Sequence, residues 1–216
     1  MSSKLSPQSP PPRPTPPTID TLLLNGFRRI RKESSWKHRA LRQTCDLAID
    51  ELQKKVHPGA GVGRYYPVFQ LALECSSEDV VGVALEHLHK VIAGGHITPS
   101  TQTKPVDGNG NPVNVGSVIV PAISAAGVGE GARGEGKALR VKCLLACVAA
   151  PGIEVHGEGL RSVFRLIHET YLWINSTATK ALQNKAQAKV ALGRVVAITM
   201  ARVEAMEHSK GQGQGQ

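Results

Sequence analysis

Aromatic residues are scarce in this 216-residue chain: two tryptophans, three tyrosines and three phenylalanines, 4% of the whole. None stands in a basic, aromatic-interleaved run of the kind that stacks RNA bases. Long apolar runs are missing as well. No stretch approaches the roughly 18–20 residues of a membrane-spanning helix, and the N-terminus has no apolar signal-peptide core, which sets the expectation of a cytosolic protein. Cysteine is limited to Cys45, Cys75, Cys143 and Cys147, without C-x-x-C spacing. They read as small core residues rather than metal ligands or disulfide partners. Acid falls short of base, 17 residues against 26, for a net charge of +9. That excess suits nucleic acid, an anionic membrane or an acidic protein, and charge alone does not choose. Arg13, Arg28, Arg29, Arg31, Lys32, Lys37 and Arg39 crowd the first fifth of the chain; the plainest reading is a solvated helix face.

Helical periodicity is plentiful. Leu160, Val163, Phe164, Ile167, Tyr171 and Ile174 fall at offsets 0, 3, 4, 7, 11 and 14, and Leu192, Val195, Val196, Thr199, Val203 and Met206 repeat that spacing. Each set makes one apolar stripe along a helix. The polar break Asn175-Ser176-Thr177 between them predicts two long helices folded back antiparallel. Neither can bury its stripe alone, so the earlier chain must cover them.

Residues 1–17 hold seven of the fourteen prolines, a composition that predicts a disordered or polyproline-II tail. Thr18 or Asp20 then opens a helix with Ile19, Leu22, Leu23, Phe27 and Ile30 on one side, weakened at Gly26. Ser34 or Ser35 is expected to cap the next, whose stripe runs from Leu41 to Val56 before His57-Pro58-Gly59 stops it. Pro67 suits the first turn of a third helix. Ser76-Ser77-Glu78-Asp79 starts a fourth, ended by Gly94-Gly95. Residues 94–114 read as a long loop. A fifth helix follows from Val115, with Pro121 expected to kink or split it; after the glycine-rich residues 127–136 a sixth runs to Pro151-Gly152. Residues 208–216, ending in the Gly/Gln repeat 211–216, are expected to be a disordered tail. The expected fold is all-α, one domain over 18–207, an armadillo- or HEAT-like stack of about eight antiparallel helices.

No chemical motif holds up. Residues 131–137 satisfy G-x-x-x-x-G-K, yet Ala138 supplies no hydroxyl for magnesium, Glu130 and Glu135 would repel phosphate, and no strand leads into the loop. A G-x-G-x-x-G match at residues 129–134 lacks a parallel-sheet context. His87 and His89 diverge on a helix and cannot share a metal. No catalytic, cofactor-binding or metal-binding residues are assigned.

Several blocks, in order, do carry a resemblance. Tyr65-Tyr66-Pro67-Val68-Phe69-Gln70-Leu71-Ala72 resembles a "Y-x-P-F-x-L-A-C" block, and residues 84–97 resemble a helix end written "A-L-D-C-L-Q-K-L-I-A-Y-G-H-I". Ile153-Glu154-Val155-His156-Gly157-Glu158, Thr177-Ala178-Thr179-Lys180-Ala181 and Ala201-Arg202-Val203-Glu204 resemble further blocks. The family is the large brefeldin-A-inhibited Arf guanine-nucleotide exchange factors, and the part resembled is their N-terminal dimerisation and cyclophilin-binding domain. Gly95, the 127–136 loop and residues 184–188 depart from its pattern. The resemblance implies a non-catalytic regulatory module, since the exchange domain lies elsewhere in that family. It further implies self-association as a homodimer, contact with the adjacent regulatory domain, binding of a GTP-bound Arf-like small GTPase, and a peripheral place at the trans-Golgi membrane in vesicle-mediated transport. Lys90, His96 and Ile97, with Tyr65 and Tyr66 adjacent, are the expected GTPase surface; Thr177, Lys180, Asn184, Lys185 and Lys189 are the expected second surface. The alternative is a basic helical-repeat module for nucleic acid or anionic membrane, which the leading reading sets aside.

Overall fold

Thr18 opens the first helix, its hydroxyl accepting from the Thr21 amide at 3.4 Å. In the computed structural model, which describes residues 18–103, 113–127, 135–173 and 179–212, that helix, α1, spans Ile19–Glu33. Asp20 sits at its positive end and Arg31 and Lys32 in its last turn, so side-chain charge and helix dipole agree. Next come α2 (Arg39–Gln53), α3 (Val62–Leu73) and α4 (Glu78–Ala93), then α5 (Val115–Ala125), α6 (Glu135–Ala149), α7 (Gly157–Trp173) and α8 (Thr179–Gln212). Two-residue strands β1 (Gln102–Thr103) and β2 (Val113–Asn114) pair antiparallel between α4 and α5. The fold is all-α, a helical-repeat stack, as the periodicities predict.

The helices pair as α1 with α2, α3 with α4, α5 with α6, and α7 with α8. One layer runs α1, α4, α6, α8 and the other α2, α3, α5, α7, neighbours touching along each layer. The first pair is thus entered in the opposite order from the other three. Lys185 of α8 meets Tyr171 near the end of α7, and Arg202 reaches back to the Ala150 carbonyl just before α7 begins. That places α7 and α8 antiparallel. Between the layers, Leu23, Phe27 and Ile30 are fully buried, and the Phe27 ring lies 5.4 Å from Phe69 and 6.1 Å from Tyr65.

Several details differ from the sequence reading. Ser34 is the C-cap of α1, its hydroxyl donating to the Ile30 carbonyl at 2.6 Å, and His38 precedes α2. The serine hydroxyl joins its own amide on the Ile30 carbonyl, so the residue closes α1 rather than opening α2. The third helix begins at Val62, so Pro67 lies inside it rather than in its first turn. Pro121 also sits inside a single continuous α5; it is exposed, so solvent can take the hydrogen bond it denies the chain. On α8 the buried face is Ala188, Ala191 and Val195, whereas Val196 and Val203 are exposed. Small alanines let α8 lie against both α6 and α7, which turns the expected stripe partly outward. The α8 backbone stays helical to Gln212, past the start of the Gly/Gln segment. The proline-rich residues 1–17, the phosphate-loop-like residues 131–134 and Asn175-Ser176-Thr177 lie outside the described residues.

Candidate functional site

The end of α4 is closed by its backbone. The Gly94 amide donates to the Lys90 carbonyl at 2.9 Å, Gly95 to Ile92 at 3.0 Å and His96 to Val91 at 3.2 Å. This double closure requires a left-handed residue at its turn, and Gly95 supplies it with φ +69°. The chain then leaves with His96 half-buried against Gly94 and Ile97 buried. Two glycines hold the departing segment. A Cβ on Gly152 would overlap the Ile97 carbonyl, and one on Gly63 would overlap the Gln102 carbonyl. Backbone therefore rests on backbone on both sides, and Asn114 ties the segment again by donating to the Pro99 carbonyl at 2.6 Å.

Beside this lies a charged cluster linking α1 to α4. Lys90 Nζ is 2.7 Å from Glu86 Oε1, and Arg29 donates to Glu86 Oε2 at 2.9 Å and to His87 Nε2 at 3.3 Å. The Lys90 hydrogen bond, then that of Arg29, holds the Glu86 carboxyl below its ordinary range. Burial lowers the His87 imidazole, reinforced by the Lys90 and Arg29 cations. Gly26 explains itself here: a Cβ there would stand 2.9 Å from His87 Cγ, so the glycine that weakens α1 is what lets it approach α4.

Of the residues expected at the GTPase surface, Lys90 is exposed and His96 half-exposed, while Tyr65, Tyr66 and Ile97 are buried. Tyr66 is buried, its hydroxyl has no hydrogen-bond partner among the described residues, and burial raises its pKa. Arg29 reads from sequence only as part of the basic N-terminal crowd, and Glu86 is not assigned to a site there; the i, i+4 spacing of Glu86 and Lys90 is the available signal. For the second surface, Lys189 is exposed on α8, Lys185 Nζ lies 5.1 Å from the Tyr171 ring centroid, and Lys180 and Asn184 lie in the early turns of α8. Thr177 lies outside the described residues. The stack places α6 between α4 and α8, so the two surfaces are separate.

Among the described residues no three His, Cys, Asp or Glu side chains gather as a metal site, and no helix is long and apolar enough to cross a membrane. Cys45, Cys75, Cys143 and Cys147 are all buried and unpaired. His87 and His89 face different neighbours, His87 towards Arg29 and His89 towards Lys142.

No family model matches the sequence. Among curated proteins the chain is similar to brefeldin A-inhibited guanine nucleotide-exchange protein 1 of Rattus norvegicus, 25% identical over 190 residues, taking in 77% of this chain and 10% of the relative. The proteins of the same name from Bos taurus and Homo sapiens match at the same identity and coverage. The chain thus spans about a tenth of the length of the curated relatives it matches, and the resemblance read from the motif blocks extends over most of this chain.

Proposed function

We propose that this chain is a non-catalytic regulatory and targeting domain of an Arf guanine-nucleotide exchange factor. What supports the reading is similarity over 77% of the chain to proteins named for guanine-nucleotide exchange, of which it spans only 10%. On this proposal a GTP-bound Arf-like small GTPase docks on the α4 end. Lys90 and His96 make the contact, and the buried Tyr65, Tyr66 and Ile97 hold that surface in shape. The Glu86 anchor stiffens Lys90, which reduces the side-chain freedom lost on docking. Lys180, Lys185 and Lys189, with Asn184 and Thr177, serve the adjacent regulatory domain or a second copy in a homodimer, and the protein works peripherally at the trans-Golgi membrane.

The test is capture of the purified chain by Arf-like GTPases locked with GTP or GDP. Retention on the GTP form alone, reduced by Lys90→Glu, is the expected result. Equal retention on both forms, or none, overturns the proposal. Light scattering of the purified chain tests self-association separately.

A further inference from the structure

Trp36 stands in open solvent at the corner between α1 and α2, 80% exposed. No other described aromatic side chain is exposed. Near it along the chain, on either side of the corner, stand cations without acid partners among the described residues. Arg28 and Lys32 lie one turn apart on the exposed side of α1, Lys37 follows the indole with its Nζ 6.0 Å from the ring centroid, and Arg39 opens α2. None of these four pairs with a carboxylate among the described residues. Their neighbours are occupied: Arg29 by Glu86, Arg31 by Asp46 at 2.7 Å, and Arg42 by the Ser34 carbonyl at 2.7 Å. Glu33 is the one acid in the sequence between Arg28 and Arg42. A lone exposed tryptophan needs no explanation, and neither does a solvated cation. Their union at one corner does.

We infer that this corner docks on an anionic lipid bilayer, with Trp36 entering the headgroup boundary and Arg28, Lys32, Lys37 and Arg39 lying over the headgroups. Indoles favour that boundary because one part of the ring is apolar and the N–H stays wet. Each basic side chain near an anionic leaflet is worth about fivefold in partitioning, lost as salt screens it. Nucleic acid fits less well. A single indole at a turn between two helices offers one stacking partner, whereas single strands are held by successive aromatics along a charged groove. The inference stands on the α1–α2 corner alone and does not depend on the α4 surface.

The test is co-sedimentation of the full 216-residue chain with vesicles of phosphatidylcholine alone, or of phosphatidylcholine and phosphatidylserine in equal parts. Trp173→Phe leaves Trp36 as the sole indole for fluorescence. Binding to the serine-lipid vesicles only, weakened by salt and accompanied by a blue shift, is expected. Reversing Arg28, Lys32 and Lys37 together to Glu should lower binding at least about a hundredfold. Trp36→Ala should weaken it severalfold and keep the salt dependence. These side chains are exposed, so an unchanged circular dichroism spectrum shows that folding is intact. Failure to bind serine-lipid vesicles, equal binding to both compositions, or binding that survives the triple reversal overturns the inference. So does preference for a duplex or single-stranded oligonucleotide over the vesicles. Lys90→Glu should leave vesicle binding unchanged, which separates this surface from the GTPase one.

Discussion

Gly152→Ala adds a single methyl group and is expected to damage the protein well out of proportion. In the structure that methyl would overlap the Ile97 carbonyl and stand 2.9 Å from Thr98 Cα. Both neighbours are main chain, so no side chain can swing aside; the segment leaving α4 must shift as a unit. Overpacking of this kind costs about 1–3 kcal/mol, and the lower entropy of alanine in the unfolded chain offsets about 0.4–1 kcal/mol of it at most. A domain of this size loses about 2–4 °C of melting temperature per kcal/mol, so a net cost of up to about 2.6 kcal/mol gives a fall of up to roughly 10 °C. Gly82→Ala is the control. Nothing lies within 4 Å of a Cβ there, inside α4, so it should stabilise by about 0.5–1 kcal/mol through helix propensity. Thermal unfolding of both variants, with amide exchange over residues 96–103, measures the difference. If Gly152→Ala melts at or above wild type, or the two variants move together, the account of how this segment is held is wrong.

Three further outcomes follow from the same packing. Lys90→Glu exchanges the pair with Glu86 for a like-charge contact on an exposed surface, so thermal unfolding should register less than about 1 kcal/mol while GTPase capture falls. His87 and His89 have folded pKa values below the ordinary 6.5, each chiefly through burial. The unfolded chain therefore takes up those protons first, and stability drops as pH falls below 6.5; His87→Gln should flatten the melting-temperature profile between about pH 7.5 and 5.5. The lowered Glu86 pKa cannot imitate this, because its contribution is lost only in the more acidic carboxylate range. A profile that stays flat or rises on acidification in the wild type refutes this reading. Burial pushes the Cys45 and Cys143 thiols up to about 12 and raises Cys147 well above its ordinary value. Thiolate is then on the order of one part in ten thousand near pH 8, so a thiol reagent should label these three only at the rate of unfolding; rapid labelling of the native chain would contradict their burial.

Much of the fold was legible from the residues alone because it depends on local spacing. Apolar positions three and four apart mark α1, α2, α4, α6 and α7, and Thr18 and Gly95 mark ends that the structure places within a residue or two. Burial is less legible where small residues pack. Ala188 and Ala191 carry little hydrophobic signal beside Val196 and Val203, yet they face inward because two helices press on α8. Tyr65 and Tyr66 sit in a block expected beside a docking surface, yet both are buried, and the Phe27 ring packs at Tyr65.

The sequence by itself determined that this chain would be helical, that its ends would be of low complexity, and that no nucleotide, metal or catalytic motif stood in sound context. These depend on residues near one another along the chain. Only the tertiary structure decided that α1 belongs in one layer with α4, that Gly26, Gly63 and Gly152 are contact points, that Glu86 joins Arg29 to Lys90, and that Trp36 is left among unpaired cations. The layer order, the glycine contacts and the link from Arg29 to Glu86 join residues distant in sequence, and such a meeting has no signature in local periodicity. It is set by which pairing of helices buries the most apolar surface at once.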